Sequence, residues 1–351
     1  MADNLIAREQ QFTTQRTKPS GKLKAVLPGW LLKRMRLALN HYRLVGNYFY
    51  DWRRFIKHSA LGGPPRTAAQ LEAYLTMDYH SLEKGLALKK PRLLFGQARI
   101  QKIISSIHLY SARFGPTRAS HIAINTLEAY QAYHHDRGSD LPTIKAFLEA
   151  TAEKKPDAER AGGTLAVTKA SIHERGKCDL KDFFYSRYSV RHFSDEPVAT
   201  ELIEQAVVMA QKSPSVCNRQ ASRVHLIEDR QAIQTALKHQ NGNRGFSEQI
   251  GTLVVVTADL QAFVSSGERN QAWIDGGMFA MTLVYGLHSL GLGSCCLNWS
   301  ADRKTDKALR RDVALEESEA VIMMIAVGHL PEQLNVAQSP RKHLDEVLIP
   351  Q

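Results

Sequence analysis

The stretch Ser186-Arg187-Tyr188-Ser189-Val190-Arg191-His192-Phe193 holds the sharpest chemistry in this 351-residue chain. In an extended strand alternate side chains share one side, so Arg187, Ser189 and Arg191 present two guanidinium forks around a hydroxyl. Such forks match phosphate oxygens in bidentate geometry. Standing alone, the string reads equally as a solvated basic strand end. Further on, Ser213-Pro214-Ser215-Val216-Cys217-Asn218-Arg219-Gln220 follows an amphipathic helical pattern and gathers amides and hydroxyls into a tight turn. Groups of that kind hydrogen-bond a flat heterocycle, or simply form a Ser/Asn helix-exit turn. Together the two segments suggest a phosphorylated aromatic cofactor.

Around them, helix and strand patterns alternate. Residues 182–188 read as a short helix. Thr200–Ser213 places Leu202, Ile203, Ala206, Val207 and Ala210 on one face, with Thr200 as N-cap. Val224–Ile227, Leu253–Thr257, Cys295–Leu297 and Val321–Val327 are strand candidates, and Met278–Leu290, apolar almost all round, is expected to be a buried helix. The expectation is an α+β domain, a mixed sheet surrounded by helices.

The order of these pieces resembles the FMN-dependent nitroreductase family. The Arg187-x-Ser189-x-Arg191 strand entry comes first and the Pro214-Ser215-x-x-Asn218-x-Gln220 turn second. A buried helix ending in Gly291-Leu292-Gly293-Ser294-Cys295-Cys296 follows, then the apolar strand with Gly328, then Arg341-Lys342 ahead of Leu344-Asp345-Glu346-Val347. The resemblance covers roughly residues 181–351. It implies a homodimer with FMN at the subunit interface. Arg187, Ser189 and Arg191 would hold the phosphate and a ribityl hydroxyl. Pro214, Ser215, Asn218 and Gln220 would meet the cofactor across the interface, and Asn243 would stand near the ring. The backbone of Cys296, Leu297 and Asn298 would border the flavin N5, and Arg341 would add a C-terminal cation to the phosphate.

Each position also has a plainer reading. Asn243 lies in a glycine-rich turn, Arg341 beside Lys342 makes a surface basic pair, and Glu268–Gln271 either lines the pocket or starts a helix. Many relatives carry Glu-Gly where Asn298-Trp299 stands, which leaves substrate preference open; Trp299 either roofs the pocket or fills the core. Cys295 and Cys296 read as small buried hydrophobes rather than redox thiols. His80 with Glu83, and His134-His135-Asp136, lack metal-ligand spacing, so no metal is expected. No side-chain nucleophile constellation stands out, which suits an enzyme whose cofactor carries the redox chemistry.

The N-terminal half differs in kind. The net charge is +11, but residues 1–66 carry +10, residues 67–180 carry +4 and residues 181–351 carry −3. The division expected is a basic arm and amphipathic helix over 1–66, a helical subdomain and linker over 67–180, and an FMN-binding domain over 181–351. In the second part Thr67 and Gln70 form a capping box, and helical patterns run over 95–113, 117–135 and 141–154. Trp30–Ile56 interleaves aromatic and basic residues. Packing on the neighbouring subdomain is favoured for it, with an anionic membrane surface or a protein partner as the alternatives.

A hydrophobic content of 43% supports a sizeable core and excludes global disorder. Four cysteines without a C-x-x-C pair, no apolar run near the roughly 18 residues of a membrane span, and no signal pattern make the cytoplasm the default. No nucleic-acid module is recognisable. The resemblance implies an oxidoreductase that draws on NADH or NADPH to reduce a nitroaromatic or quinone-like small molecule in two half-reactions. The alternatives are a peripheral membrane or protein-docking accessory factor that keeps the fold, and a scaffold that has lost the flavin.

Overall fold

Two glycines facing each other across two strands set the geometry of the sheet's open edge. The structure, a computed structural model, describes residues 28–61, 63–88, 90–151, 161–169, 179–337 and 341–351. Residues 1–27 of the expected basic arm, and residues 170–178 of the linker with Cys178, lie outside the described residues. The first half is helical: α1 Gly29–His58, α2 Ala68–Leu86, α3 Gln97–Phe114, α4 Arg118–His135 and α5 Pro142–Thr151. After a short α6, Leu180–Ser186, come α7 Thr200–Ala210, β1 Ser222–Ile227, α8 Arg230–Leu237 and β2 Thr252–Asp259. The chain continues through α9 Gln271–Ser289, β3 Leu292–Asn298, α10 Arg303–Asp312 and β4 Glu319–His329.

The strands pair antiparallel in the order β1-β2-β4-β3. The sheet is thus antiparallel rather than mixed as expected; the Arg187–Arg191 segment forms no strand and meets β3 through one isolated parallel bridge, Ser189 to Ser294. Period-two alternation sends the two faces into different cores. Val254, Val256, Ile325 and Val327 meet α7 and α9 on one side, while Leu253, Val255, Met324 and Ala326 join the core shared with α8 and α10 on the other. β2 is buried throughout because it is central and covered on both faces.

Gly293 pairs with Gly328 across β3 and β4. A Cβ at Gly328 would lie 2.7 Å from the Phe193 ring, and one at Gly293 would lie 3.2 Å from Val190. The missing side chains leave a trough, and Val190 and Phe193 fill it. That packing, with the Val190 N–H donating to the Ser294 carbonyl at 2.9 Å, fastens the Arg187–Arg191 segment to the edge of β3.

The helical region has its own core, in which Leu75, Ile103, Leu127 and Tyr130 are fully buried. Thr67 caps α2 by accepting from the Gln70 N–H at 3.2 Å. The reciprocal half of the capping box does not form: Gln70 Oε1 accepts instead from the Arg66 N–H, and its amide donates to the His58 carbonyl. Buried where the end of α1 turns into α2, Gln70 gains more by splicing the two helices. At α7 the cap residue is Ala199; Thr200 is already helical and donates to Glu228.

Two expectations of burial are overturned. α9 packs on the sheet through Ala280, Leu283, Val284 and Leu287, but Trp273, Ile274, Met278 and Met281 are exposed on its other side. α1 does not pack on the helical subdomain through its apolar face either. It buries only Arg54 and Phe55.

Candidate functional site

The sequence-derived site residues fall into two groups at opposite edges of the sheet. At the β3 edge lie Arg187, Ser189, Arg191, Cys296 and Asn298. Arg187, Ser294 and Gly293 line a cleft of about 260 Å³, together with His288 and, from the chain beyond β4, Leu330, Leu334 and Val336. Arg187 and Ser189 are half-buried and Arg191 is exposed. The Arg191 guanidinium reaches only the Ser189 carbonyl, at 3.5 Å. Neither arginine forms an ion pair with a described residue. Two cations without carboxylate partners around a hydroxyl are a donor set suited to a phosphate. His288 backs this cleft with Nε2 2.9 Å from Ser186 Oγ. Burial lowers its pKa, the Phe183 carbonyl offsets part of that, and Arg187 lowers it again.

Alternation decides what β3 itself offers. The Ser294 carbonyl points away from β4, since it accepts from Val190, and in an antiparallel ladder residues of the same parity point the same way. The Cys296 and Asn298 backbone groups therefore face the open edge. The Asn298 carbonyl is taken by Gln240 Nε2 at 3.0 Å, whereas no described residue accepts from the Cys296 N–H. Leu297 points into the core, so it offers the edge no side chain. Cys295 is buried as expected, and burial pushes its thiol up. Cys296 is exposed, contrary to expectation, because adjacent strand residues face opposite ways.

The second group precedes β1. Pro214, Ser215 and Gln220 line a cleft of about 400 Å³ with Val207, Ser222, Val224 and Phe279. The turn is unusual: Cys217, Asn218 and Gln220 all have positive φ, at 49°, 55° and 49°. Each such non-glycine residue costs about 1 kcal/mol or more, so the surroundings must hold the turn. Arg219 does so. Buried in the turn, it donates to the Val216 and Ala262 carbonyls and forks onto both carboxylate oxygens of Glu268. Burial pushes the Glu268 carboxyl up, but hydrogen bonds from Arg219 and from the Val264 and Ser265 N–H groups outweigh it and hold it below its usual value. Asp275 adds a second anchor by accepting from the Val216 N–H at 3.0 Å. The helical region reaches this turn too: α2 packs against Val216–Asn218 and Leu260–Ala262.

Nothing in the sequence marks Arg219 or Asp275, and Glu268 stands out there only as a pocket-lining or helix-start residue. An arginine beside Asn218 carries no local signal that its partner lies 49 residues away. Asn243 is buried and its amide donates to the Leu237 and Gln240 carbonyls. It holds the loop from which Gln240 grips Asn298. Trp299 packs against the core and donates to Asp306 Oδ1 at 2.9 Å. Arg341 is exposed in the C-terminal segment. His80 pairs with Glu83, while His134 accepts from the Leu94 N–H.

The family model of the nitroreductase family matches residues 185–243 and 231–329. Over these residues the chain is similar to the nitroreductase family. Both edges and the whole sheet fall inside the matched span. Among solved structures, one similar chain is described as an NADH dehydrogenase/NAD(P)H nitroreductase from Parabacteroides distasonis. It is 21% identical, with 50% of this chain and 98% of that chain covered and a TM-score of 0.44. A nitroreductase from Desulfovibrio desulfuricans, described in complex with FMN, gives the same four values. An FMN-dependent nitroreductase from Clostridium difficile is 21% identical over 48% of this chain and 98% of its own, with a TM-score of 0.41. No curated protein matches the sequence significantly. The helical first half lies outside the nitroreductase-like match.

Proposed function

We propose that this protein is an FMN-dependent oxidoreductase that works as a homodimer, each cofactor being held between the β3 edge of one copy and the Pro214–Gln220 turn of the other. The observation that carries this reading is the separation of the two half-sites. β1 and β3 are the outermost strands of a four-stranded sheet, so the edges stand about 14 Å apart at the usual strand spacing. One copy cannot close both half-sites around one ring system. The exposed stripe of Ile274, Met278 and Met281 on α9 supports burial against a second copy.

Bound FMN supplies hydride acceptance and donation, chemistry that no side chain of this site provides. The protein's part is binding and polarity. Arg187 and Arg191 neutralise the phosphate, Ser189 meets the ribityl chain, and Arg341 is the candidate further cation. The unpaired Cys296 N–H faces the open edge as a donor for a ring acceptor, and preorganised donors of this kind favour developing negative charge. The strained turn, fixed by Arg219 and Asp275, presents Ser215, Asn218 and Gln220 without an ordering cost at the moment of binding. NADH or NADPH is the proposed reductant, and a nitroaromatic or quinone-like small molecule the proposed oxidant.

The test begins with the visible spectrum of the purified protein: a flavin band that bleaches anaerobically with NADH or NADPH is expected. A colourless protein that FMN cannot reconstitute would sink the reading. The shared site is tested by mixing. Arg187→Ala/Arg191→Ala protein and Ser215→Ala/Asn218→Ala protein each bind FMN poorly. After subunit exchange the mixed dimer has one intact site and one doubly damaged site, so tight FMN binding returns to half the sites of that species. If exchange restores no binding, the site is not shared between copies.

A further inference from the structure

We propose that α1 is a membrane-surface helix that lies on anionic lipid through its outer face. The case rests on the way α1 is docked, which reverses the usual rule that an amphipathic helix packs by its apolar stripe. At 100° per residue, Asn47, Tyr50, Asp51, Arg54 and His58 fall on one side, and this polar side is the one that meets the protein. Asn47 accepts from the Arg303 N–H, Tyr50 donates to Asp306 at 2.8 Å, and Arg54 donates to the Glu317 and Glu319 carbonyls. Leu37, Leu44, Val45, Tyr48, Phe49, Trp52 and Ile56 fall on the outer side within an arc of about 140°, in which Phe55, near the docked end, is the buried member. They point outward, with Trp30 61%, Tyr48 68% and Trp52 57% exposed. The 30-residue helix is about 45 Å long, and these hydrogen bonds to the domain all come from its second half.

Charge selects the occupant. From Gly29 to Tyr50 the helix carries Lys33, Arg34, Arg36 and Arg43 and no acidic residue; Arg34 falls within the apolar arc and Lys33 beside its edge, while Arg36 and Arg43 fall on the other side of the helix. Two copies of α1 laid face to face would bring their basic N-terminal halves together with no acidic residue between Gly29 and Tyr50 to offset them, and like-charge juxtaposition of this kind is costly. An anionic lipid surface complements them. Trp and Tyr are the residues whose amphipathic rings settle at headgroup depth, and arginine and lysine stems extend from an apolar face to the phosphates. No helix among the described residues is long and apolar enough to span a bilayer, so α1 lies in the interface plane. The inference does not depend on the flavin reading.

The experiment uses the full-length protein with vesicles of phosphatidylcholine alone and of phosphatidylcholine mixed with phosphatidylserine. Partition into the mixed vesicles is expected, weak on the neutral ones and falling as salt rises. Lys33→Gln/Arg34→Gln/Arg36→Gln should lower it about a hundredfold, roughly fivefold per charge. Trp30→Ala/Tyr48→Ala/Trp52→Ala should lower it as well. All six side chains are exposed, so circular dichroism and FMN content should stay as in the parent. No partition into mixed vesicles, or partition unchanged in both variants, overturns the proposal. So does an aromatic variant whose only change is a smaller assembly by light scattering, because the arc would then belong to a second copy.

Discussion

The two edges of the sheet use the same side chain in opposite ways. At β3, Arg187 and Arg191 leave their guanidinium groups without carboxylate partners among the described residues, Arg187 lining a cleft and Arg191 exposed beside it. At β1, Arg219 spends its donors inside the protein, on two carbonyls and Glu268. The first edge keeps charge available for a ligand; the second uses charge to hold a strained turn in shape. The lesson is that an arginine in a motif has no role until its partners are known. Arg219 sits within one of the two motif segments and yet is the structural one.

Substitutions can break this contrast. The largest effect on stability is expected from Arg219→Ala, which leaves the Glu268 carboxylate without its partner and removes the brace from three positive-φ residues. Loss of one partner of a buried pair costs about 3–5 kcal/mol, to be read as a shift in the urea midpoint at constant slope. Arg187→Ala should do the reverse, changing stability by about 0.5 kcal/mol or less while weakening FMN about ten- to a hundredfold in a fluorescence titration. Equal stability losses in the two variants would erase the distinction between the edges.

Acid titration sharpens it further. Glu268 has a folded pKa held below its unfolded value, so its contribution is complete above the ordinary carboxylate range near 4.3 and is lost as pH falls through the folded value. Glu268→Gln is therefore expected to flatten the stability profile below about pH 4, whereas Arg187→Ala should leave its shape alone. The smallest effect is expected from Asn243→Ala. Losing the amide's hydrogen bonds to the helix-end carbonyls should cost about 1 kcal/mol in thermal or chemical unfolding. It should also loosen the Gln240 contact to Asn298 without removing any phosphate contact.

The fold was largely legible in the sequence, because helix and strand periods and turn residues are local. All four strands lie where the apolar runs place them, each lengthened by two to four residues in the sheet, where ladder hydrogen bonds extend beyond the run. Gly291, Gly293 and Gly328 were visible as punctuation, but not that Gly293 and Gly328 face each other and seat Val190 and Phe193. The exposed arcs of α9 and α1 were misread for one reason. Apolar periodicity says that a face seeks cover, not whether the same chain supplies it.

The sequence by itself determined the element types, the order of the motif segments, the candidate residues for a phosphate, and the concentration of positive charge in residues 1–66. Tertiary structure alone decided that the two motif segments stand at opposite sheet edges, that Cys296 faces out and Leu297 in, and that Arg219 braces a turn. It also decided that α1 docks by its polar side. Periodicity and residue chemistry act over a few residues, whereas strand order, edge parity and ion pairing depend on contacts dozens to hundreds of residues apart, which no local pattern encodes.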